Sequence, residues 1–225
     1  MIEPGASTAS TAASIEPHAE NESTDGEIPG WLPRLTRAER RLWEAFPYGA
    51  TVEYLSGDPE LDDPSQAEEW NDDRTIRAAV IAALALGARE PVPGRTAGVR
   101  IVGARVVGQI DLRHGQIDVP LTLRHCRIED TIRFDEAVTK SIDLTGSKTG
   151  RIMAEGAHVR GSLKLNDAQV CGDSEFALHL DEITIDTDLA ARALHCDGPI
   201  CLIGARIGAV VDLIRGKLPI RARWR

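Results

Sequence analysis

The sequence predicts a mainly β protein, a parallel β-helix of square coils with a helical cap at its N-terminal end. Two observations predict this fold. A pattern of apolar and small residues recurs at a nearly constant spacing from Val99 onward, as from Ile110 to Leu121. Aromatic residues make up only 4% of a chain that is 42% hydrophobic. A core of Ile, Val, Leu and Ala suits narrow, regular layers better than an irregular globule.

Residues 1–30 predict a disordered tail. They are mostly polar or small, and such a segment cannot bury enough apolar surface to fold. The start of the chain has neither the basic stretch nor the apolar core of a secretory signal, so a cytoplasmic protein is predicted. The four cysteines, at positions 126, 171, 196 and 201, show no CxxC spacing. Reduced thiols are therefore expected.

Residues 31–97 predict a helical cap that contains an acidic loop. Thr36 and Glu39 have the spacing of a capping box at the start of a short helix. Pro47 and Gly49 are expected to end that helix.

A second helix is predicted over residues 74–86, with Asp72 or Asp73 at its start and Gly87 at its end. It contains most of the apolar run 78–88, which is far shorter than the roughly 20 residues needed to span a bilayer. Because this helix is apolar on nearly all sides, we expect it to be buried across the first rung of the repeat.

An internal repeat fills residues 98–225. Its unit reads apolar-x-apolar-x-x-small-x-apolar, and the sixth position is small in nine of eleven copies, which excludes chance alternation. The copies start at Val99, Ile110, Leu121, Ile132, Ile142, Ile152, Leu163, Leu178, Leu189, Ile200 and Val211. The sixth positions are Ala104, Gly115, Cys126, Ala137, Ser147, Ala157, Ala168, Ile183, Leu194, Ala205 and Gly216.

Each unit predicts two short strands, and four strands close one square coil. Coils stack about 4.8 Å apart, so residues 99–218 are expected to form a rod about 25 Å long. Leu121, Ile142 and Leu163 should lie one above another in an apolar ladder. The tight turn in each unit is expected to leave room only for Ala, Gly, Ser or Cys at its inward corner.

The spacing between units is widest from Leu163 to Leu178, where the segment "CGDSEFA", residues 171–177, intervenes. Four extra residues cannot fit inside a rung, so we expect them to loop outward from one corner. Loops on a rigid scaffold commonly carry recognition. This insert is therefore the best single candidate for a recognition feature.

The rungs "LRHCRI" and "LIGARIG", with the preceding "RTIRAAVIAALALGA" and "TRAERRLWEAFPYGATVEYLSGDPE", resemble actinobacterial pentapeptide-repeat-like proteins. The resemblance covers about residues 31–216. It implies a right-handed quadrilateral β-helix capped by N-terminal helices. Members of that group are commonly labelled oxidoreductase or membrane-associated oxidoreductase, which implies redox activity or peripheral membrane association but no catalytic residues. The final "KLPIRARWR" departs from the group, whose members usually continue with more rungs.

The sequence predicts no cofactor. A dinucleotide fingerprint needs two close glycines in a GxGxxG pattern so that the backbone can approach the pyrophosphate. None of the 20 glycines has another two positions away. Neither a nicotinamide nor a flavin is therefore expected.

One possible metal site would use His195, Cys196 and Cys201, with His179 as a fourth ligand. The sequence does not favour this site. Cys196 should point into the rod whereas His195 and Cys201 should point outward, so a single ion would need both faces. The sequence predicts no metal ligands.

A catalytic Cys126–His125 pair with Glu129 and Asp130 nearby is set aside as well. Adjacent strand residues face opposite sides, so the thiol and the imidazole cannot meet. No catalytic residue is predicted.

The remaining outward histidines and acids are interpreted as solvated faces that keep the rod soluble. They are His114, His158, Asp111, Asp143 and Asp212.

Charge is divided unevenly along the chain. Residues 1–97 hold 18 acidic and 8 basic residues, whereas residues 98–225 hold 17 acidic and 18 basic ones. Mimicry of DNA by the rod would need dense negative charge, and direct nucleic-acid binding would need an excess of basic residues. The balanced repeat favours neither.

These observations favour a non-catalytic binding or scaffold module with an unknown protein partner. The alternatives are an oxidoreductase, as the resembling group is labelled, and a DNA-mimicking inhibitor of a DNA-binding enzyme. Val211, Leu213 and Leu218 would lie in an uncovered last coil, which predicts a homodimer joined through that coil, or aggregation if the chain is a truncated member of a longer family.

Overall fold

The computed structural model describes residues 28–216 and confirms the predicted fold class. The chain is mainly β, and its parallel sheets form a β-solenoid of about five coils behind a short helical region. The tail predicted for residues 1–30 falls mostly on residues 1–27, which lie outside the described residues, as does Leu218. Ile28 already packs against the core.

The described part of the chain contains two α-helices, three 3-10 turns and 23 short strands. The α-helices are α1 (Arg37–Ala45) and α2 (Ala78–Ala85), and the 3-10 turns are Phe46–Tyr48, Pro64–Glu69 and Asp72–Arg74. The strands before the repeat are β1 (Val52–Glu53) and β2 (Thr75–Arg77). The strands of the repeat are β3 (Val99–Val102), β4 (Arg105–Val107), β5 (Ile110–Asp111), β6 (Gln116–Ile117), β7 (Leu121–Arg124), β8 (Arg127–Ile128), β9 (Ile132–Arg133), β10 (Val138–Thr139), β11 (Ile142–Asp143), β12 (Lys148–Thr149), β13 (Ile152–Met153), β14 (His158–Val159), β15 (Leu163–Lys164), β16 (Gln169–Val170), β17 (Leu178–His179), β18 (Thr184–Ile185), β19 (Leu189–Ala190), β20 (His195–Cys196), β21 (Ile200–Cys201), β22 (Arg206–Ile207) and β23 (Val211–Asp212).

Within the repeat, each strand pairs with the strand four places further along the chain, so every coil adds one strand to each of four parallel sheets. Side A is β1-β3-β7-β11-β15-β19-β23 and side B is β2-β4-β8-β12-β16-β20. Side C is β5-β9-β13-β17-β21 and side D is β6-β10-β14-β18-β22. Every predicted unit start is the first residue of an odd-numbered strand from β3 to β23.

The predicted apolar ladder is confirmed on side A. Leu121 pairs in register with Ile142, and Ile142 pairs with Leu163. All three side chains are buried. Each rung closes the core of the next because no single coil can cover its own inner face.

A left-handed backbone turn precedes the inward corner of every unit, which the sequence pattern did not reveal. All eleven turn residues have positive φ. Only Gly103, Gly146, Gly156 and Gly204 are glycines; the others are His114, His125, Glu136, Asp167, Glu182, Ala193 and Arg215. A left-handed conformation costs a residue with a side chain on the order of 1 kcal/mol, so the stacking of the coils must hold these seven in place.

The expectation that the inward corner accepts only small residues is wrong at two positions. Ile183 and Leu194 occupy the corner and are both fully buried. Both lie in the coil that follows the insert at residues 171–177. The core of that coil therefore has room for a branched side chain where neighbouring coils have Ala157 and Ala168.

The cap begins with the predicted helix. The Thr36 hydroxyl accepts a hydrogen bond from the Glu39 amide at 3.2 Å, and the Thr36 amide donates to Glu39 Oε2 at 2.9 Å, so the capping box is confirmed. Phe46 starts the 3-10 turn that follows α1, and Gly49 ends it with a φ of 61°.

The predicted second helix is wrong at its start. Thr75–Arg77 form strand β2 on the open edge of β4, with Ile76 opposite Val106. The free edge supplies backbone partners, and the β-branched residues suit a strand. The helix therefore begins at Ala78, without Asp72 or Asp73 as its cap. Gly87, with a φ of 89°, follows its end as predicted.

The first coil is covered in two ways. β1 and β2 extend sides A and B by pairing with β3 and β4, while α2 packs against β5 and β3. Val80, Ile81 and Leu84 are fully buried there, which confirms that this apolar helix is buried across the first rung.

Candidate functional site

The insert at residues 171–177 leaves the ladder and bulges from the corner between sides B and C, as predicted. β16 still pairs with β20, and β17 still pairs with β21. The Asp173 carboxylate accepts hydrogen bonds from the amides of Glu175 and Phe176, at 2.8 and 3.1 Å. Arg151 of the coil below pairs with the same carboxylate at 2.7 Å. These contacts give the insert a defined shape on the rod.

The two ends of this loop lie close together. A Cβ built on Gly172 would come within 2.5 Å of the Ala177 Cα. Removal of residues 173–176 is therefore expected to leave a chain that closes without disturbing the rungs. We expect the urea midpoint of the deletion variant to stay close to that of the wild type; an insoluble or unfolded product would show that the segment belongs to the core.

Side C beside the loop presents three outward side chains on successive coils. Met153 lies opposite His179, and His179 lies opposite Cys201. The Phe176 ring stacks on the His179 ring, with centroids 4.6 Å apart and planes 13° apart. The His179 Nε2 atom lies 3.2 Å from an Asp181 carboxylate oxygen. The loop thus contacts one imidazole of this face through Phe176.

Buried polar atoms distinguish His179 further. Its Nδ1 atom is buried and has no hydrogen-bond partner among the described residues. Burial raises the pKa of the Cys201 thiol, and the nearby Asp181 carboxylate raises it further. Asp181 is itself fixed, because its other oxygen accepts the Ile203 amide at 2.8 Å.

The four residues weighed as a metal site divide between two sides of the rod. His195 lies on side B, where it pairs with Asp197 at 2.8 Å, and Cys196 points inward, as predicted, with burial raising its pKa to about 12. His179 and Cys201 face outward together on side C. Within residues 28–216, no three His, Cys, Asp or Glu side chains converge as metal ligands.

His125 and Cys126 are separated, as expected, but for a different reason: both lie in the turn between β7 and β8 rather than in one strand. Cys126 is fully buried, and burial raises its pKa to about 12. Its Sγ atom lies 3.2 Å from the Arg124 carbonyl oxygen, to which it donates. His125 is an exposed left-handed turn residue. The thiol is therefore a core filler rather than a nucleophile.

Outward polar and charged side chains contact neighbours on the same or the next coil. His114 lies 3.2 Å from Glu136, and His158 lies 2.8 Å from Asp186. Arg192 pairs with Asp212. These contacts are exposed, and such pairs contribute little stability each.

Asp143 corrects the interpretation that all these acids are solvated. It is only 6% exposed and pairs with Arg124 at 2.7 Å. Burial raises the pKa of this carboxyl, but hydrogen bonds from Arg124 and Thr145 outweigh burial and leave the pKa lowered.

A groove of about 480 Å³ lies over α2, on the outside of the cap. Its lining includes Trp31, Ala82 and Leu86, and Trp31 is 67% exposed. Asp111 is the only ionisable side chain in that lining, and it already pairs with Arg113 at 2.6 Å. The groove is therefore an apolar surface rather than a converging set of polar groups.

The last described coil presents an apolar edge. Val210, Val211, Leu213 and Ile214 are between 37% and 61% exposed. Among the described residues, β23 pairs only with β19. The expected exposure of Val211 and Leu213 is confirmed, and one side of their strand lacks a partner within residues 28–216.

Comparisons with models of protein families, with curated proteins and with solved structures found no match to this chain. No helix within residues 28–216 has the length and apolar character to cross a membrane. The fold therefore defines the protein as a β-solenoid.

Proposed function

We propose that the protein is a non-catalytic binding or scaffold module of the cytoplasm, built on a pentapeptide-like β-solenoid, whose partner is another protein. The observation that carries the proposal is the local pairing of the surface charges along the rod, as in the pairs Arg105–Glu129 and Arg192–Asp212. These groups contact one another on neighbouring coils instead of converging on a substrate. The apolar edge of the last coil and the shaped loop at residues 171–177 supply surfaces for a partner.

The alternative function, an oxidoreductase, can be tested by ligand binding. An oxidoreductase that uses a nicotinamide or a flavin would be stabilised by that ligand increasingly as the ligand concentration rises. We expect no change in the thermal unfolding temperature with millimolar NADPH, NADH, FMN or FAD, and no yellow colour in the purified protein. An unfolding temperature that rises with the concentration of one of these ligands would contradict the scaffold proposal and support the oxidoreductase function.

The first partner in this proposal is a second copy of the chain, joined end to end through the last coil. β23 has a free edge among the described residues, and Val211 and Leu213 expose apolar surface beside it. A twofold axis at this end would pair one β23 with the other and cover both apolar patches, since the same patch meets itself across such an axis.

The oligomeric state tests this interface. We expect light scattering at micromolar concentration to report a dimer for the wild type and a monomer for Leu213→Lys, because a lysine cannot be buried there without a partner. The matched control is Val138→Lys, which places the same charge on the outward face of side D and should leave the dimer intact. A wild-type monomer at these concentrations contradicts the interface.

A further inference from the structure

A column of soft donor atoms runs up side C beneath the loop at residues 171–177. Met153, His179 and Cys201 occupy outward positions on three successive coils, in register. Backbone hydrogen bonds fix their spacing: the Ala154 amide donates to the His179 carbonyl oxygen at 2.8 Å, and the Leu180 amide donates to the Cys201 carbonyl oxygen at 2.9 Å. Side chains in register on neighbouring parallel strands are about 4.8 Å apart. The Met153 and Cys201 positions therefore lie one coil away from His179 on either side.

The imidazole is held as a metal-bound histidine is commonly held. The Asp181 carboxylate lies beside Nε2 at 3.2 Å, and Phe176 stacks on the ring. A carboxylate at one ring nitrogen keeps the proton there, so the other nitrogen presents its lone pair. That nitrogen, Nδ1, is buried and has no hydrogen-bond partner in the described chain. An unpaired buried acceptor costs free energy that a bound cation recovers.

We propose that Met153, His179 and Cys201 bind one Cu(I) ion, with the Met153 sulfur, His179 Nδ1 and the Cys201 sulfur as its ligands. Thioether and thiolate sulfur are soft donors that select Cu(I), whereas harder divalent ions prefer oxygen. On binding, the Cys201 thiol gives its proton to solvent and forms the copper–sulfur bond, with no change in the oxidation state of the metal. Asp181 acts as a positioning residue, since it touches the imidazole and not the ion.

This site differs from the one that the sequence offered. The set His195, Cys196, Cys201 and His179 failed because its members lie on different faces of the rod. Replacing the two side-B residues by Met153 places all ligands on one face. The register of Met153 with His179 spans the longer coil that contains the insert.

The test is an anaerobic competition titration of the full chain, reduced and metal-free, against a chromogenic Cu(I) chelator. We expect the wild type to withdraw one equivalent of copper per chain. Cys201→Ser should weaken binding by more than the roughly 10- to 100-fold that loss of an orienting residue costs, and Asp181→Asn should fall within that range. Met153→Leu, which keeps the size of the side chain, should weaken binding measurably.

Cys171→Ser is the matched control, because Cys171 is also a half-buried free thiol but lies outside the column. It should bind copper as the wild type does. Copper X-ray absorption of the loaded protein should show one nitrogen and two sulfur neighbours, and metal-free variants should unfold at the wild-type temperature. Three results would overturn the site: no copper withdrawn by the wild type, undiminished affinity in Cys201→Ser, or a site that holds Zn²⁺ through Asp181 and is indifferent to Met153→Leu.

Discussion

Glu39→Ala is expected to lower the free energy of unfolding by about 3 kcal/mol, because Glu39 joins the cap to the rod. Its carboxylate is fully buried on α1. It accepts hydrogen bonds from the Arg77 amide at 3.0 Å and from Arg77 Nε at 2.6 Å, on strand β2. The substitution would also remove half of the capping box with Thr36.

Urea unfolding measures this loss. Glu44→Ala is the matched control, since Glu44 lies on the same helix and is exposed; its unfolding free energy should change by less than about 0.5 kcal/mol. Equal midpoints for the Glu39 variant and the wild type would show that the cap and the rod are not joined through this contact.

The same carboxylate predicts a dependence on pH. Burial raises the pKa of Glu39, but hydrogen bonds from the Arg77 side chain and from the Thr36 and Arg77 amides outweigh burial, so the pKa lies below its ordinary value of 4.5. A carboxylate whose pKa is lower in the folded than in the unfolded chain stabilises the fold at pH values above the unfolded-state pKa. That stability is lost as the pH falls through the folded-state pKa. Wild-type stability should therefore fall more steeply than that of Glu39→Gln below about pH 4.5.

The repeat could be predicted because each coil requires the same residue types at the same spacing. Strands that bury one face need apolar residues at alternate positions, and stacking demands that this pattern return in each coil. Hence all eleven unit starts, from Val99 to Val211, begin strands. The capping box of Thr36 and Glu39 is similarly local, since it needs only four consecutive residues.

Features set by long-range contact could not be predicted. Strand β2 forms because the edge of β4, which comes much later in the chain, lies beside it. From sequence alone the same residues belong to the first turn of the helix predicted over residues 74–86. The sequence does not predict the left-handed turns, because seven of the eleven turn residues are not glycine. All eleven residues occupy the same position, directly before the inward corner of a unit. This shared position indicates that the packing of the coils imposes the left-handed conformation.

The loop at residues 171–177 and the side-C column beside it also combine features that could and could not be predicted from the sequence. The extra length at residues 171–177 predicted an outward loop, because four residues cannot enter a rung. Which side chains the loop would cover depended on the register restored after it, and that register brings Met153 opposite His179. The predicted unit starts Ile152, Leu178 and Ile200 already place the residues that follow them in one column, as the strand pairing confirms. What the spacing does not show is the stacking of Phe176 on His179 and the buried, unpaired Nδ1 atom.

Exchanging the sizes of two corner residues tests the packing of the coil after the insert. Ala157 and Ile183 occupy successive positions of one corner column, and both are buried; the Thr184 amide donates to the Ala157 carbonyl oxygen at 2.8 Å across the two coils. Ala157→Leu is expected to cost about 1 to 3 kcal/mol by overpacking. Ile183→Ala should cost about 2 to 4 kcal/mol by leaving a cavity.

The double variant Ala157→Leu, Ile183→Ala should lose less stability than the sum of the two single losses, because the added side chain can enter the space that Ile183 leaves. A coupling of at least about 0.5 kcal/mol is expected from urea unfolding, since residues that share a cavity are not additive. Combining Ala157→Leu with Leu84→Ala is the matched control: Leu84 is also fully buried but lies on α2 in the cap, so these losses should add. Strict additivity in both pairs would show that the corner columns do not pack as stacked coils require.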